Sequence, residues 1–408
     1  MRRAIGALVF LAGVSQLALP ACSSDPDPNA SGDGGADAPP VQPCASLPVA
    51  VVENGGAISV GRYAPAAAVL SPGKVLIAGG YDFTLGFSTS SEIADPMRGV
   101  LAPSGAMKVA RNFAATAVLA NGNVLVAGGF VGNTGSVTVG EIYDAKAGTF
   151  ERTPGNMGEG REAHTATLLP DGKVLILGGL QASGFKFTAT AETFDAATGT
   201  FTKTTTDMST PRAFHVAGLD PAKNVVFAAG GASGPTAQTD TIELYDVAKA
   251  SFSVAPGKLQ HATKALAGAR LPDGRWLLSG GANETDKTLA DAQLFDPATG
   301  QVTKAAPMAT RRIAHTLTTL ADGRVLAIGG FSDSITPGGS TNLLEVYDPK
   351  SDTWEQLTVG LAQPRHDHVA VLLPDCRVAI FGGQRVRNAG TPTAPVDVEL
   401  ITVPFVKK

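Results

Sequence analysis

Charge is scarce in this sequence: 17% of the 408 residues are Asp, Glu, Lys or Arg, and 32 basic against 36 acidic side chains leave a formal charge of −4. A balance so close to neutral provides no basic field to hold a nucleic acid backbone. Long apolar runs are also missing, because the longest, near the start, has about 16 residues where a membrane-spanning helix needs roughly 20. Aromatic residues make up only 6% and cysteine only three positions, Cys22, Cys44 and Cys376. What the chain has instead is 48 glycines, 27 prolines and 44% hydrophobic residues. That is the composition of a turn-rich all-β protein, not of a helical or disordered one.

The opening MRRAIGALVFLAGVSQLALPAC places two arginines before the apolar run and small residues before Cys22, the layout of a secretory signal. Leu19-Pro20-Ala21-Cys22 resembles a bacterial lipobox, which implies cleavage after residue 21 and a lipid on Cys22. Ser23 follows the cysteine, and the absence of Asp there implies sorting to the outer membrane; plain secretion is the alternative. Residues 22–43 are rich in Ser, Asp, Pro, Gly and Ala, too polar to bury a core. They read as a flexible tether spanning about 25 Å, with 44–408 as one domain.

Double glycines recur at Gly79-Gly80, Gly128-Gly129, Gly178-Gly179, Gly230-Gly231, Gly280-Gly281, Gly329-Gly330 and Gly382-Gly383, 49 to 53 residues apart. A period of about 50 belongs to propeller repeats. In the third copy the run AHTATLLP meets an Asp-Gly turn and then KVLILGG, a hairpin signal. A polar loop, a third run (AETFDAATG) and a fourth opened by Gly199-Thr200-Phe201 follow. Four antiparallel strands make one blade.

The repeat resembles the kelch family in its double glycine, in Glu141-Ile142-Tyr143-Asp144, Glu243-Leu244-Tyr245-Asp246 and Glu345-Val346-Tyr347-Asp348, and in the aromatic nine residues after the Glu: Phe150, Phe201, Phe252 and Trp354. The resemblance spans residues 48 to 403 and implies a seven-bladed kelch-type β-propeller. The seventh copy has a third strand near Val396 to Val403 and too few residues for a fourth. The segment Leu47 to Val52 is therefore expected to supply that outer strand, closing the ring and leaving no open edge. Cys44 precedes this strand, and Cys376 replaces the glycine of the seventh Asp-Gly turn. Both approach one corner of blade 7, so a Cys44–Cys376 disulfide is expected in an oxidising compartment.

An arginine also recurs, at Arg62, Arg111, Arg161, Arg212, Arg312 and Arg365, and 30 to 34 residues later a glutamate, at Glu92, Glu141, Glu192, Glu243, Glu345 and Glu399. Six guanidinium groups around one axis would suit an anion. Repeat 5, however, has Thr263 and Gln293 and has lost both charges together. Removing one partner of a buried ion pair costs about 3–5 kcal/mol, whereas replacing both is often neutral. The joint loss favours structural Arg–Glu pairs over a ligand site. His164, His215, His315 and His368 each stand three after an Arg, one per blade in four blades, and lack the clustering of a metal site. No metal or other cofactor is expected.

Some propellers of this resemblance are copper radical oxidases similar to galactose oxidase, which need a Tyr–Cys crosslink; here Tyr143, Tyr245 and Tyr347 sit at core repeat positions and Cys376 sits in a turn. Others resemble sialic-acid epimerases, which leaves a carbohydrate-active enzyme as the alternative. The loops are short and rich in Gly, Ser, Thr and Ala, so a non-catalytic, monomeric scaffold for a protein or carbohydrate ligand is expected. Its candidate ligand residues follow the glycine pairs of blades 6, 7, 1 and 2: Phe331, Gln384, Arg385, Arg387, Tyr81, Phe83 and Phe130. Aromatics beside arginines suit an acidic sugar or peptide terminus.

Overall fold

A computed structural model of the chain describes residues 49–404, apart from 72, 286, 334–338 and 387–390. The leader (1–21), Cys22, the tether, Cys44 and Arg387 lie outside the described residues.

Seven four-stranded antiparallel sheets form the blades of a propeller. Blade 3 is representative. Its innermost strand is Thr165–Leu168, followed by Val174–Leu177, Ala191–Asp195 and the outer Thr200–Lys203. The second strand is apolar without interruption because it has a neighbour on each side. Val174 and Ile176 pack on Leu125 and Ala127 of blade 2, while Leu175 and Leu177 pack on Val226 and Ala228 of blade 4. Seven such interlayers, one between each pair of adjacent blades, make up the core, and burying each Leu, Ile or Val contributes about 1.5–3 kcal/mol.

The aromatic nine residues after the glutamate has a cross-strand partner on the third strand. Tyr143 pairs with Phe150, Phe194 with Phe201, Tyr245 with Phe252 and Tyr347 with Trp354, with ring centroids 4.8 to 5.1 Å apart. Aromatic pairs directly opposite each other add to sheet stability.

Blade 7 takes its outer strand from the start of the domain. Val51–Ala57 pairs with Asp397–Thr402, Val51 opposite Thr402 and Ala57 opposite Asp397. The strand begins later than the expected Leu47 to Val52. The Asn54-Gly55-Gly56 step, a turn signal by composition, is carried inside the strand as a bulge in which the Asn54 side chain accepts the Gly56 N–H at 2.8 Å.

The loops after the double glycines are more ordered than their composition implies. In blades 1, 2, 3, 5 and 6 they fold into two-stranded hairpins such as Tyr81–Asp82 with Gly86–Phe87 and Leu180–Gln181 with Lys186–Phe187. These hairpins define the loop face; the Asp-Gly turns define the opposite, turn face.

Candidate functional site

Each recurring arginine is buried and held by its own blade. Arg161 donates from Nη2 to Glu192 Oε1 at 2.7 Å and Thr190 Oγ1 at 3.0 Å, and from Nη1 to the carbonyls of Gly178 at 2.8 Å and Thr190 at 3.0 Å. The other Glu192 oxygen accepts the Gly158 N–H at 2.9 Å. One ion pair thus ties the double glycine, the start of the third strand and the incoming loop together. Arg62–Glu92 at 2.8 Å, Arg111–Glu141 at 2.6 Å, Arg212–Glu243 at 2.9 Å and Arg365–Glu399 at 2.6 Å repeat the arrangement, as does Arg312–Glu345. All twelve side chains are buried.

Repeat 5 keeps the frame without charge. Gln293 Oε1 accepts the Gln260 N–H at 2.9 Å, the loop contact that glutamate makes elsewhere, and Thr263 Oγ1 donates to the Ala282 carbonyl at 3.3 Å.

The double glycine joins neighbouring blades. Gly178 has φ +60°, and a Cβ there would lie 2.3 Å from the carbonyl oxygen of Arg212 in blade 4; that same carbonyl accepts the Gly179 N–H at 2.8 Å. The histidines serve the same seam. His215 Nε2 meets Thr165 Oγ1 at 3.0 Å, His315 meets Ser279 Oγ at 3.0 Å and His368 meets Thr316 Oγ1 at 2.9 Å, each in the preceding blade, while His164 faces the backbone of Ala127. Burial pushes His215 down to about 3 and the other three well below the ordinary imidazole value, so all four are neutral.

The residues just after the arginine do something different. Ala64, Phe113, Ala163, Phe214, Ala265, Ala314 and Asp367, one per blade, have φ between +48° and +56°. That left-handed region is uncommon for side chains other than glycine. Neighbouring blades hold it in place: the N–H of each residue from Phe113 to Asp367 donates to the carbonyl of its predecessor at 2.9 to 3.3 Å. The result is a rim of backbone hydrogen bonds around the axis at the loop face, with Tyr63, Phe113, Phe214, Ile313 and several alanines packed into one apolar cluster.

Within this rim lie side chains of unlike chemistry. The residue immediately after each arginine position is Tyr63, Asn112, Glu162, Ala213, Lys264, Ile313 or His366. The Tyr63 hydroxyl is hydrogen-bonded to the Asp367 carboxylate, and burial followed by the charges of Asp367 and Glu162 raises it well above the ordinary phenol value. Glu162 is 2% exposed, and burial alone raises its carboxyl to about 8. His366 Nδ1 meets Ser340 Oγ at 2.8 Å, and burial pushes its ring down to about 3.

The proposed loop residues fall around this centre. Tyr81, Phe83 and Phe331 pack partly buried against the axial cluster. Tyr81 meets Phe83 at 5.2 Å and Phe87 at 4.8 Å, Phe87 meets Phe130 at 5.7 Å, and Phe331 meets His366 at 5.7 Å. Gln384 is buried, and Arg385 Nη1 donates to Gln363 Oε1 at 2.6 Å. The aromatics of blades 1 and 2 form one continuous patch, whereas Arg385 points to blade 7's own entry loop.

Residues 314–358, which run through blade 6, match the Kelch motif. The chain is a seven-bladed β-propeller that carries a Kelch motif in blade 6. No curated protein matches it in sequence. Among solved structures it is similar to YjhT, with a TM-score of 0.57 at 14% identity over 74% of this chain and 99% of that one. It is also similar to a fungal alcohol oxidase of the AA5 family, described in complex with copper, with a TM-score of 0.66 at 17% identity over 87% of this chain and 76% of that one. At these identities the likeness is one of fold, and a kelch propeller can be either a binding scaffold or an enzyme.

The donors present do not fit the oxidase's metal. Among the described residues no three His, Cys, Asp or Glu side chains gather into a metal-binding group. Cys376 occupies the first hairpin turn of blade 7, on the turn face, with φ +68°, and Tyr143, Tyr245 and Tyr347 are buried between blades.

The axial residues Tyr63, Glu162, His366 and Asp367 escaped sequence reasoning, which fastened on the constant Arg and His of the repeat. The usable signal was the opposite one: the two positions between them vary in chemistry from copy to copy, and a propeller brings equivalent positions to one axis.

Proposed function

We propose that this propeller is a cell-envelope binding protein, lipid-anchored at Cys22, that holds a ligand on its loop face without catalysing a reaction. The observation that carries the reading is the patch of Tyr81, Phe83, Phe87 and Phe130, partly buried and continuous with the polar centre of the rim. Rigid hairpins on a rigid ring are a common place for binding residues. The recurring arginines offer no competing site, since their Nη groups are taken up inside the blades. The closing strand starts at the turn face, so a tether ahead of it favours a loop face turned away from the membrane.

Retention of the full chain on fractionated envelope polysaccharide and protein tests the reading. Tyr81→Ala with Phe83→Ala should abolish retention while leaving the melting curve within a few degrees of the parent; unchanged retention would overturn it. Labelled palmitate should enter the parent and be absent from Cys22→Ala. Turnover of an envelope saccharide by the parent would replace this reading with its alternative, a carbohydrate-active enzyme.

A further inference from the structure

Two Asn-Gly steps occur in the sequence, Asn54-Gly55 and Asn121-Gly122. Such a step is chemically weak, because glycine has no Cβ to shield its amide nitrogen from the asparagine side chain ahead of it. The fold treats the two steps differently.

Asn54-Gly55 is clamped. It lies inside the closing strand Val51–Ala57 with Asn54 opposite Glu399, and the Asn54 side chain accepts the Gly56 N–H at 2.8 Å. Gly55 is buried against blade 7, where a Cβ would lie 2.9 Å from Leu400 Cγ and 3.0 Å from Val398 Cγ1. Turning the Asn54 side chain onto the Gly55 nitrogen requires pulling this strand off the sheet that closes the ring.

Asn121-Gly122 is open. It forms the turn between Ala115–Val118 and Val124–Ala127, on the turn face of blade 2. Asn121 is exposed, and a Cβ on Gly122 would meet nothing. One backbone bond restrains the glycine nitrogen, from the Gly122 N–H to the Leu119 carbonyl at 2.9 Å. One bond holds the side chain, from the Asn123 N–H to Asn121 Oδ1 at 3.1 Å. Neither is needed to keep the hairpin shut, since the Leu119 N–H also donates to the Asn123 carbonyl at 2.8 Å.

The other copies show what this position accepts. Blades 3, 5, 6 and 7 have Asp171, Asp273, Asp322 and Asp375 in place of Asn121, and the Oδ1 of each accepts the N–H two residues on at 3.0 to 3.1 Å, as Asn121 Oδ1 does. An aspartate at residue 121 therefore fits the turn without rearrangement.

We propose that Asn121 is a site of self-modification, converting to aspartate and isoaspartate in the folded protein while Asn54 persists. The Gly122 nitrogen, giving up its proton to solvent, attacks Asn121 Cγ. The Cγ–Nδ2 bond breaks, and Nδ2 takes up a proton and leaves as ammonia. Water then opens the cyclic imide. Breaking the bond between the Gly122 nitrogen and Cγ yields aspartate, whereas breaking the bond to the backbone carbonyl carbon yields isoaspartate, whose main chain runs through Cγ and is one carbon longer. The net reaction consumes one water, releases one ammonia and needs no oxidant or metal. Aspartate reproduces the turn of blades 3, 5 and 6; isoaspartate lengthens it and works against the pairing of Val118 with Val124. The proposal is independent of what the loop face binds.

The test ages the folded full chain in neutral buffer well below its melting temperature, with a synthetic peptide of residues 115–127 as the unrestrained reference. Peptide mass mapping quantifies the acid forms at residues 121 and 54, and methyltransferase labelling quantifies isoaspartate. Asn121 should convert about ten-fold more slowly than in the peptide, the factor set by one turn hydrogen bond of about 1.4 kcal/mol. Asn54 should be slower than Asn121 by a further factor of about ten or more, because sheet pairing must be lost first. Asn121→Asp should melt with the parent, and the Tm of aged parent should fall in proportion to its isoaspartate content. Gly122→Ala, which shields the nitrogen, should suppress the conversion. Asn121 left intact after the peptide has converted, or Asn54 converting as fast as Asn121, would overturn the proposal.

Discussion

Arg161 and Glu192 meet at 2.7 Å inside blade 3, the arginine fully buried and the glutamate nearly so. The glutamate also clasps the loop that delivers the arginine, through the Gly158 N–H. Arg161→Ala should therefore destabilise the propeller by about 3–5 kcal/mol, because it strands a buried carboxylate. Arg161→Thr with Glu192→Gln, the pair already present in blade 5, should recover much of that loss. Chemical denaturation of the four proteins of the cycle measures it, and a coupling below about 0.5 kcal/mol would show that the two charges act independently.

The double glycine offers a comparison within one blade. Gly178 and Gly172 both have positive φ, but a Cβ at Gly172 meets open space, whereas one at Gly178 meets the Arg212 carbonyl. Gly172→Ala should cost about 1–2 kcal/mol, the price of a left-handed alanine. Gly178→Ala should cost clearly more, since blade 4 must move. Equal losses in denaturant would mean that the blade contact contributes nothing.

Stability should depend on pH in two opposite ways. Glu162, raised to about 8 in the folded state, contributes stability that is fully present below its unfolded value and is lost as pH rises through about 8. The slope is at most about 1.4 kcal/mol per pH unit. The buried histidines, depressed in the folded state, contribute stability that is present above the ordinary imidazole value and is lost as pH falls below it. Between about pH 6.5 and 8 the parent should lose Tm while Glu162→Gln holds level. Parallel curves for the two proteins would count against a protonated Glu162.

Cys376 adopts φ +68° in the turn where blades 2, 3, 5 and 6 have glycine. We expect it to be bridged to Cys44, which lies ahead of the closing strand and outside the described residues. Alkylation of the denatured mature protein should add two adducts at these positions only after reduction. Two adducts without reductant would exclude the bridge.

Seven blades, four strands in each and the pairing of Arg161 with Glu192 were all legible in the residues. A propeller blade is built by local hairpins, so the period of about 50 carries most of its register. The joint loss at Thr263 and Gln293 exposed the ion pair, because a buried charge does not tolerate losing one partner. The length of the closing strand was less legible: Asn54-Gly55-Gly56 reads locally as a turn, and only pairing with Asp397–Thr402 makes it a bulge. The axial cluster was not legible at all. Tyr63 and Asp367 come from blades 1 and 7, share no local motif, and meet only because ring closure brings equivalent positions of distant copies to one axis. Burial then decides the chemistry at this rim: Glu162, an ordinary acid in the sequence, is pushed toward its protonated form in the folded ring by burial alone.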